Sequence, residues 1–319
     1  IKLSNIEFTA LIIFTSYCII VLTFGFNYFS ILQNIRFWYG VVIFTIVFRL
    51  ISFDHLLNYY WLKFFIIIFL IEAILINTYL DSAILHPESS EIGHIFFGFW
   101  ERAAGFSGNP GATLTFIICY GFLVQLHLNR PFPKLDFLLL TATVALSLSS
   151  SAVIIFCSYL LLQLFVFQRK KILSFFRLFS LVFIPILTVF ITVDTEMFQK
   201  YSIQYVVDIV ELKINALTIS DPSWFGEQLF LTQPVTSGDF GLLVFVMTMG
   251  ITGITVYIFF LLAFYKTGNR MFWVILLIHL GSIHYPSAFF PSGQILTALM
   301  LNIGNIKRPT EIPILKRQT

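Results

Sequence analysis

Between Trp100 and Gly111 the chain reads Trp-Glu-Arg-Ala-Ala-Gly-Phe-Ser-Gly-Asn-Pro-Gly, a guanidinium among small residues just ahead of a proline. Pro110 suits the first turn of a helix, and the backbone N–H groups of a helix start favour an anion. Arg102 can hold a phosphate through two parallel hydrogen bonds. The alternative is that Arg102 pairs with Glu101, or lays its stem along apolar surface to reach lipid headgroups. Other groups with the means for chemistry are Asp239, ahead of a long apolar run, His284, His94, and a row of serines at 147, 149, 150 and 151. The chain has no Walker loop, no dinucleotide glycine fingerprint, no H-E-x-x-H and no D-x-D pair. ATP-driven or nucleotide-sugar chemistry is therefore not expected of it, nor a resident metal or cofactor. Cys18, Cys119 and Cys157 all fall in apolar runs, with neither a disulfide framework nor zinc spacing.

The elements that must position these groups are written for lipid. Hydrophobic residues make up 58% of the chain and charged ones 11%, against roughly 25% charged in soluble domains. Apolar runs such as Phe8–Phe26, Leu62–Leu80, Leu173–Val193 and Phe240–Tyr265 approach the roughly 20 residues that cross a bilayer as helix. The expected fold is all-α: one polytopic membrane domain over 1–319, a helix bundle of about ten crossings. They are expected at 7–26, 38–53, 61–80, 110–128, 135–148, 151–168, 173–193, 240–265, 271–285 and 288–305. The first run is long and lacks a small-residue cleavage site, so no cleavable signal peptide is expected.

Basic residues gather in alternate loops: Arg130 and Lys134; Arg169, Lys170, Lys171 and Arg177; Lys266 and Arg270; and Lys307, Arg308, Lys316 and Arg317. That side, with both termini, is expected to be cytoplasmic. The other side holds Arg36, Arg102, Lys200 and Lys213, most of the acids, and two outer loops at 81–109 and 194–239. Within the second loop an amphipathic stretch from Met197 to Asn215 reads as a helix lying on the membrane or over the bundle mouth, or as an ordinary connector. The 34 residues from Leu135 to Gln168 must begin and end on the same side. A single helix of that length would reach about 51 Å, so two short helices meeting at the serine row are expected. Their turn would then lie below the outer surface, inside protein or beside a wet cavity, unless the hydroxyls simply bond back to their own helix. Glu72 falls deep in the third crossing, where a carboxylate is costly without a partner or a proton-carrying task. Arg49, near the inner end of the second, can reach the headgroups.

Several of these residues resemble bacterial O-antigen ligases and Wzy-type polysaccharide polymerases. Those families read roughly R-x-x-G-x-F-x-N-P ahead of a crossing; here Arg102, Gly105, Phe106, Asn109 and Pro110 follow, with Phe106 directly after Gly105 and one residue more between it and Asn109. A short pair of helices comes next in both, often with a Ser-Arg pair at its turn, whereas Ser149, Ser150 and Ser151 have no Arg after them. Ser237-Gly238-Asp239-Phe240-Gly241-Leu242-Leu243, followed by Gly250-Ile251-Thr252-Gly253, is similar to the element closing the large outer loop of the polymerases; ligases tend to carry His at the Asp position. His279, His284-Tyr285-Pro286 and Phe289 also look alike.

The resemblance implies a metal-independent glycosyltransferase at the outer face of the bacterial inner membrane. It would polymerise undecaprenyl-diphosphate-linked repeat units into lipopolysaccharide O-antigen or capsule. Its partners would be that lipid-linked oligosaccharide, the surrounding lipids and a chain-length regulator, with no nucleic acid. Arg102 would hold the diphosphate and offset its charge as it leaves, with Gly105, Asn109 and Ser150 beside it. Asp239 would be the base or the contact to the acceptor hydroxyl, with Glu101 and His284 as further catalytic candidates. The rivals are an O-antigen ligase, a lipid-linked oligosaccharide flippase or proton-coupled carrier, for which Glu72 speaks, and a structural scaffold. Carriers often carry internal repeats, and none is visible in this chain.

Overall fold

The computed structural model describes residues 3–24, 40–51, 53–78, 95–96, 100–130, 132–147, 149–167, 211, 241–264, 272–282 and 287–303. Among these residues every element is helical apart from a two-residue antiparallel ladder. The α-helices are α1 (Asn5–Phe24), α2 (Gly40–Leu50), α3 (Tyr59–Thr78), α4 (Pro110–Leu128), α5 (Lys134–Ser147), α6 (Ser150–Phe167), α7 (Gly241–Phe264), α8 (Phe272–Gly281) and α9 (Pro291–Asn302). The ladder joins β1 (Ile95–Phe96) to β2 (Trp100–Glu101), pairing Ile95 with Glu101 and Phe96 with Trp100. Among the described residues two helices, α3 and α4, are long and apolar enough to cross a membrane.

Local chemistry explains the boundaries. Ser4 and Glu7 form a reciprocal capping box at the start of α1: the Ser4 N–H donates to Glu7 Oε2 (2.8 Å) and the Glu7 N–H to Ser4 Oγ (3.2 Å). Asn109 caps α4 with its side chain, Pro110 occupies the first turn, and Asn129 ends the helix in the left-handed conformation. The stretch 135–168, expected as two short helices, holds α5 and α6, broken between Ser147 and Ser150. The spans expected at 38–53, 271–285 and 288–305 are shorter as observed. For the last two the reason is local: Ser282 closes α8 by donating its N–H to the His279 carbonyl (2.9 Å), and residues 287–290 form turns before Pro291 opens α9. The crossing expected at 173–193 lies outside the described residues. So does the amphipathic stretch, apart from Glu211, which is helical.

Helix α4 is the axis of the bundle. Nearly all of it is buried, and it packs against α3, α5, α6, α8 and α9, while α1 pairs with α7 and α2 with α9. Phe65 of α3 meets Phe116 of α4 edge to face at 5.2 Å, and the Tyr120 hydroxyl donates to the Leu56 carbonyl ahead of α3, so α3 and α4 run antiparallel. Tyr159 of α6 touches Phe122 at 5.4 Å and donates from its hydroxyl to Gln125 Oε1 at 3.2 Å, which sets α6 beside α4. The Asn302 amide donates to the Thr45 carbonyl (3.1 Å), fixing α9 along α2.

One end of this bundle collects the cations. Arg49 at the end of α2 bonds Glu7 at the start of α1 and stacks over Phe264 at the end of α7, 5.6 Å from its ring centre. Both members of that pair are buried. This corrects the expectation for Arg49, whose head is turned to Glu7 inside the protein and not out to headgroups. Lys63 of α3 sits 3.4 Å from the fully buried Asp136 of α5, and Tyr59 donates its hydroxyl to the Arg130 carbonyl (3.1 Å) at the same end. The loop carrying Arg102 lies at the other end, between the close of α3 and the opening of α4.

Candidate functional site

The segment from Glu101 to Asn109 enters the bundle along α3. At the top, Asn77 reads the backbone of Glu101 on both sides: its Oδ1 accepts from the Glu101 N–H (2.6 Å) and its Nδ2 donates to the Glu101 carbonyl (2.8 Å). Four residues further on, the Gly105 N–H donates to Glu72 Oε1 (2.8 Å). Glu72 lies six residues before the end of α3, about 9 Å below it along the axis. The loop therefore descends roughly two turns beneath the end of α3 before the chain reverses into α4. Arg102 is held between these two fastenings, half-buried, with Nε inside the protein.

The reversal is built from small and hydroxylated residues. Gly105 has φ +72°, and a Cβ there would come within 2.5 Å of Thr113 Oγ1. Both the left-handed backbone and the close approach demand glycine. Thr113, fully buried on the first turn of α4, donates its hydroxyl to the Ala104 carbonyl (3.1 Å), accepts from the Ser107 N–H (3.3 Å), and lies 2.5 Å from Ser107 Oγ. The Gly108 N–H donates to the Gly105 carbonyl (2.9 Å). Asn109 Oδ1 accepts from the Ala112 N–H (3.0 Å), and its carbonyl accepts from the Thr113 N–H (3.0 Å).

These bonds revise the sequence-based site. The N–H groups of Ala112 and Thr113 at the start of α4 are already taken, so the helix opening is capped by its own chain. Gly105 and Asn109, expected beside a diphosphate, have structural work: Gly105 turns the loop and gives its N–H to Glu72, and Asn109 caps α4. Arg102 is the charged side chain of that group. Glu101 is half-buried beside it, with its backbone fixed by Asn77. Ser150 opens α6, and its side chain lies outside the described residues. Asp239, His284 and His94 also lie outside them. Gly241, two residues after Asp239, starts α7, which runs antiparallel to α1, as the Phe14–Phe260 stack (5.0 Å) and the Tyr17–Met249 bond require.

Two further turns approach the start of α4. Ser150 lies nine residues before Tyr159, so stepping back equally along α4 from Phe122 and Gln125 brings it level with Thr113–Phe116. At this turn Ser147 donates to the Val144 carbonyl (2.7 Å), Ser149 and Ser151 pair through their hydroxyls (3.0 Å), and Ser149 begins α6 by accepting from the Val153 N–H (3.1 Å). The turn thus lies inside protein, and its hydroxyls serve their own backbone first. Gly281, closing α8, approaches Thr115 so tightly that a Cβ would fall 2.6 Å from Thr115 Cγ2. Ser282 then accepts from the Ala288 N–H (2.9 Å). Three irregular turns rich in Ser, Thr and Gly therefore meet around the first two turns of α4, below the end of α3.

Two sets of residues escaped the sequence reading. Asn77 was missed, although Glu72, Ala73, Ile76 and Asn77 fall on one side of α3. Tyr17 donates to the Met249 carbonyl just before a break in α7 at Gly250, where φ is 65° and ψ 179°. No pattern in an unbroken apolar run marks where such a break is stitched. The chain matches no family model, no curated protein and no solved structure.

Proposed function

We propose that this chain is a membrane-embedded glycosyltransferase that polymerises lipid-linked oligosaccharide repeat units at the outer face of the bacterial inner membrane. The donor is a glycan on undecaprenyl diphosphate, and the acceptor is a second lipid-linked repeat. The described helices are part of a bundle of about ten crossings, with the cation-rich end facing the cytoplasm. The observation that carries the reading is the position of Arg102. It sits at the end opposite Arg49, Lys63, Arg130 and Lys134, in a loop that enters the bundle between α3 and α4. A guanidinium at that depth has what a leaving pyrophosphate needs: a fixed positive charge in surroundings drier than bulk water. Irregular backbone is tolerated at membrane depth where protein or a wet cavity surrounds it, and three turns gather there. Asp239 or Glu101 would take the proton from the attacking hydroxyl.

The test is glycan display in the source strain. Arg102→Ala and Asp239→Ala should each remove long chains while single-repeat lipid A persists. Loss of even the single repeat from lipid A, with lipid-linked chains accumulating, would mark a ligase instead. One observation favours a second reading, a carrier of lipid-linked oligosaccharide: the break at Gly250 makes α7 a discontinuous helix, as in many transporters. In that case the same variants would trap the lipid-linked repeat on the cytoplasmic face. Normal chains from Arg102→Ala would overturn the polymerase reading.

A further inference from the structure

We infer that Glu72, with Asn77 a turn above it, is a positioning residue that sets the depth at which Arg102 meets the diphosphate; the inference rests on the polymerase reading above. A carboxyl group six residues inside an apolar helix is costly unless something uses it. Here Glu72 Oε1 takes the Gly105 N–H at 2.8 Å, at the point where the loop turns with φ +72°. Asn77 holds the other side of Arg102 through two bonds to Glu101 at 2.6 and 2.8 Å. Arg102 is thus one residue from one fastening and three from the other, and α3 makes both fastenings. The loop is secured below as well, since Thr113 receives the Ser107 N–H and donates to the Ala104 carbonyl. What α3 adds is registry along the membrane normal. Without Glu72, the Gly105 N–H has no acceptor at that depth, and the loop gains by rising towards water.

The role asks for an acceptor oxygen at a given reach, not for a negative charge. Glu72→Gln keeps both reach and oxygen. Glu72→Ala removes the acceptor, and Glu72→Asp withdraws it by one methylene. A proton-carrying residue would give the opposite order, with Gln as inactive as Ala.

The experiment has two arms on the full-length protein. In nanodiscs, hydrogen–deuterium exchange of the 101–109 peptide reads the fastening directly and is blind to activity. Exchange should quicken about tenfold or more in Glu72→Ala and remain near wild type in Glu72→Gln. In the source strain, long-chain glycan should fall about tenfold or more in Glu72→Ala, as expected of a group displaced by an ångström or so, and return in Glu72→Gln. Asn77→Ala supplies a second test that leaves Glu72 intact, with faster exchange and shorter chains expected. Unchanged exchange in both alanine variants overturns the inference whatever the glycan looks like. Loss of chains in Arg102→Ala with full chains in a quickly exchanging Glu72→Ala overturns it too, while leaving the polymerase reading standing. Gln behaving as Ala in the strain assay overturns it in favour of a titrating carboxyl. Full chains from Arg102→Ala overturn the parent reading and the inference with it.

Discussion

At Gly105 two independent demands coincide, and each yields a measurable cost. Alanine there would have to adopt φ +72° and place its Cβ 2.5 Å from Thr113 Oγ1. The backbone penalty alone is about 1–3 kcal/mol, and moving Thr113 would break its bond to Ala104. Gly105→Ala should therefore lower the melting temperature in detergent and shorten displayed glycan, whereas Gly108→Ala has open space around its Cβ and carries only the backbone penalty of φ +68°. The residue scale is also where sequence reading was least complete. Arg102 stood out because charge is rare in this chain. Gly105 and Asn109 were seen as neighbours of an anion because N–H groups at a helix start are usually open. Here the Asn109 side chain has taken that of Ala112. Asn77 carried no signal, because an amide near the end of a crossing is ordinary until its partner, distant in sequence, is known.

At the scale of elements, the break in α7 has a stated support and so a stated failure. Gly250 sits at φ 65°, ψ 179°, a conformation open in practice to glycine alone. The Met249 carbonyl beside it is taken by the Tyr17 hydroxyl of α1, and Gly253 leaves the room, since a Cβ there would fall 2.8 Å from Tyr17 Cε1. Gly250→Ala should destabilise by about 1–3 kcal/mol or straighten the helix. Tyr17→Phe should cost about 1 kcal/mol, the loss of one buried hydrogen bond. Thermal melts of the two variants and their combination check this; the effects should fall short of additive, because both act on one junction. Helix existence and order were legible from runs of apolar residues, and the α5–α6 hairpin from a length argument joined to charge. Breaks and early ends were not, because lipid-facing helices lack the polar alternation that marks a boundary in soluble proteins.

For the molecule as a whole, the described residues Arg49, Lys63, Arg130 and Lys134 gather at the end of the bundle away from Arg102. The cation-rich end is pinned by Glu7–Arg49, a pair whose members are both buried. Arg49→Met alone strands a buried carboxylate and should cost about 3–5 kcal/mol, while Glu7→Gln with Arg49→Met should recover most of it. A double-mutant cycle on detergent melting temperatures measures the coupling. A second consequence concerns the bilayer itself. Gly105 is fastened about 9 Å beneath the end of α3, so on the proposed reading a phosphate meeting Arg102 has to leave the plane of its neighbours. Thin leaflets shorten that plunge and thick ones lengthen it. Reconstituted turnover should accordingly decline as acyl chains lengthen, and the decline should flatten once Glu72→Ala lets the guanidinium float upward.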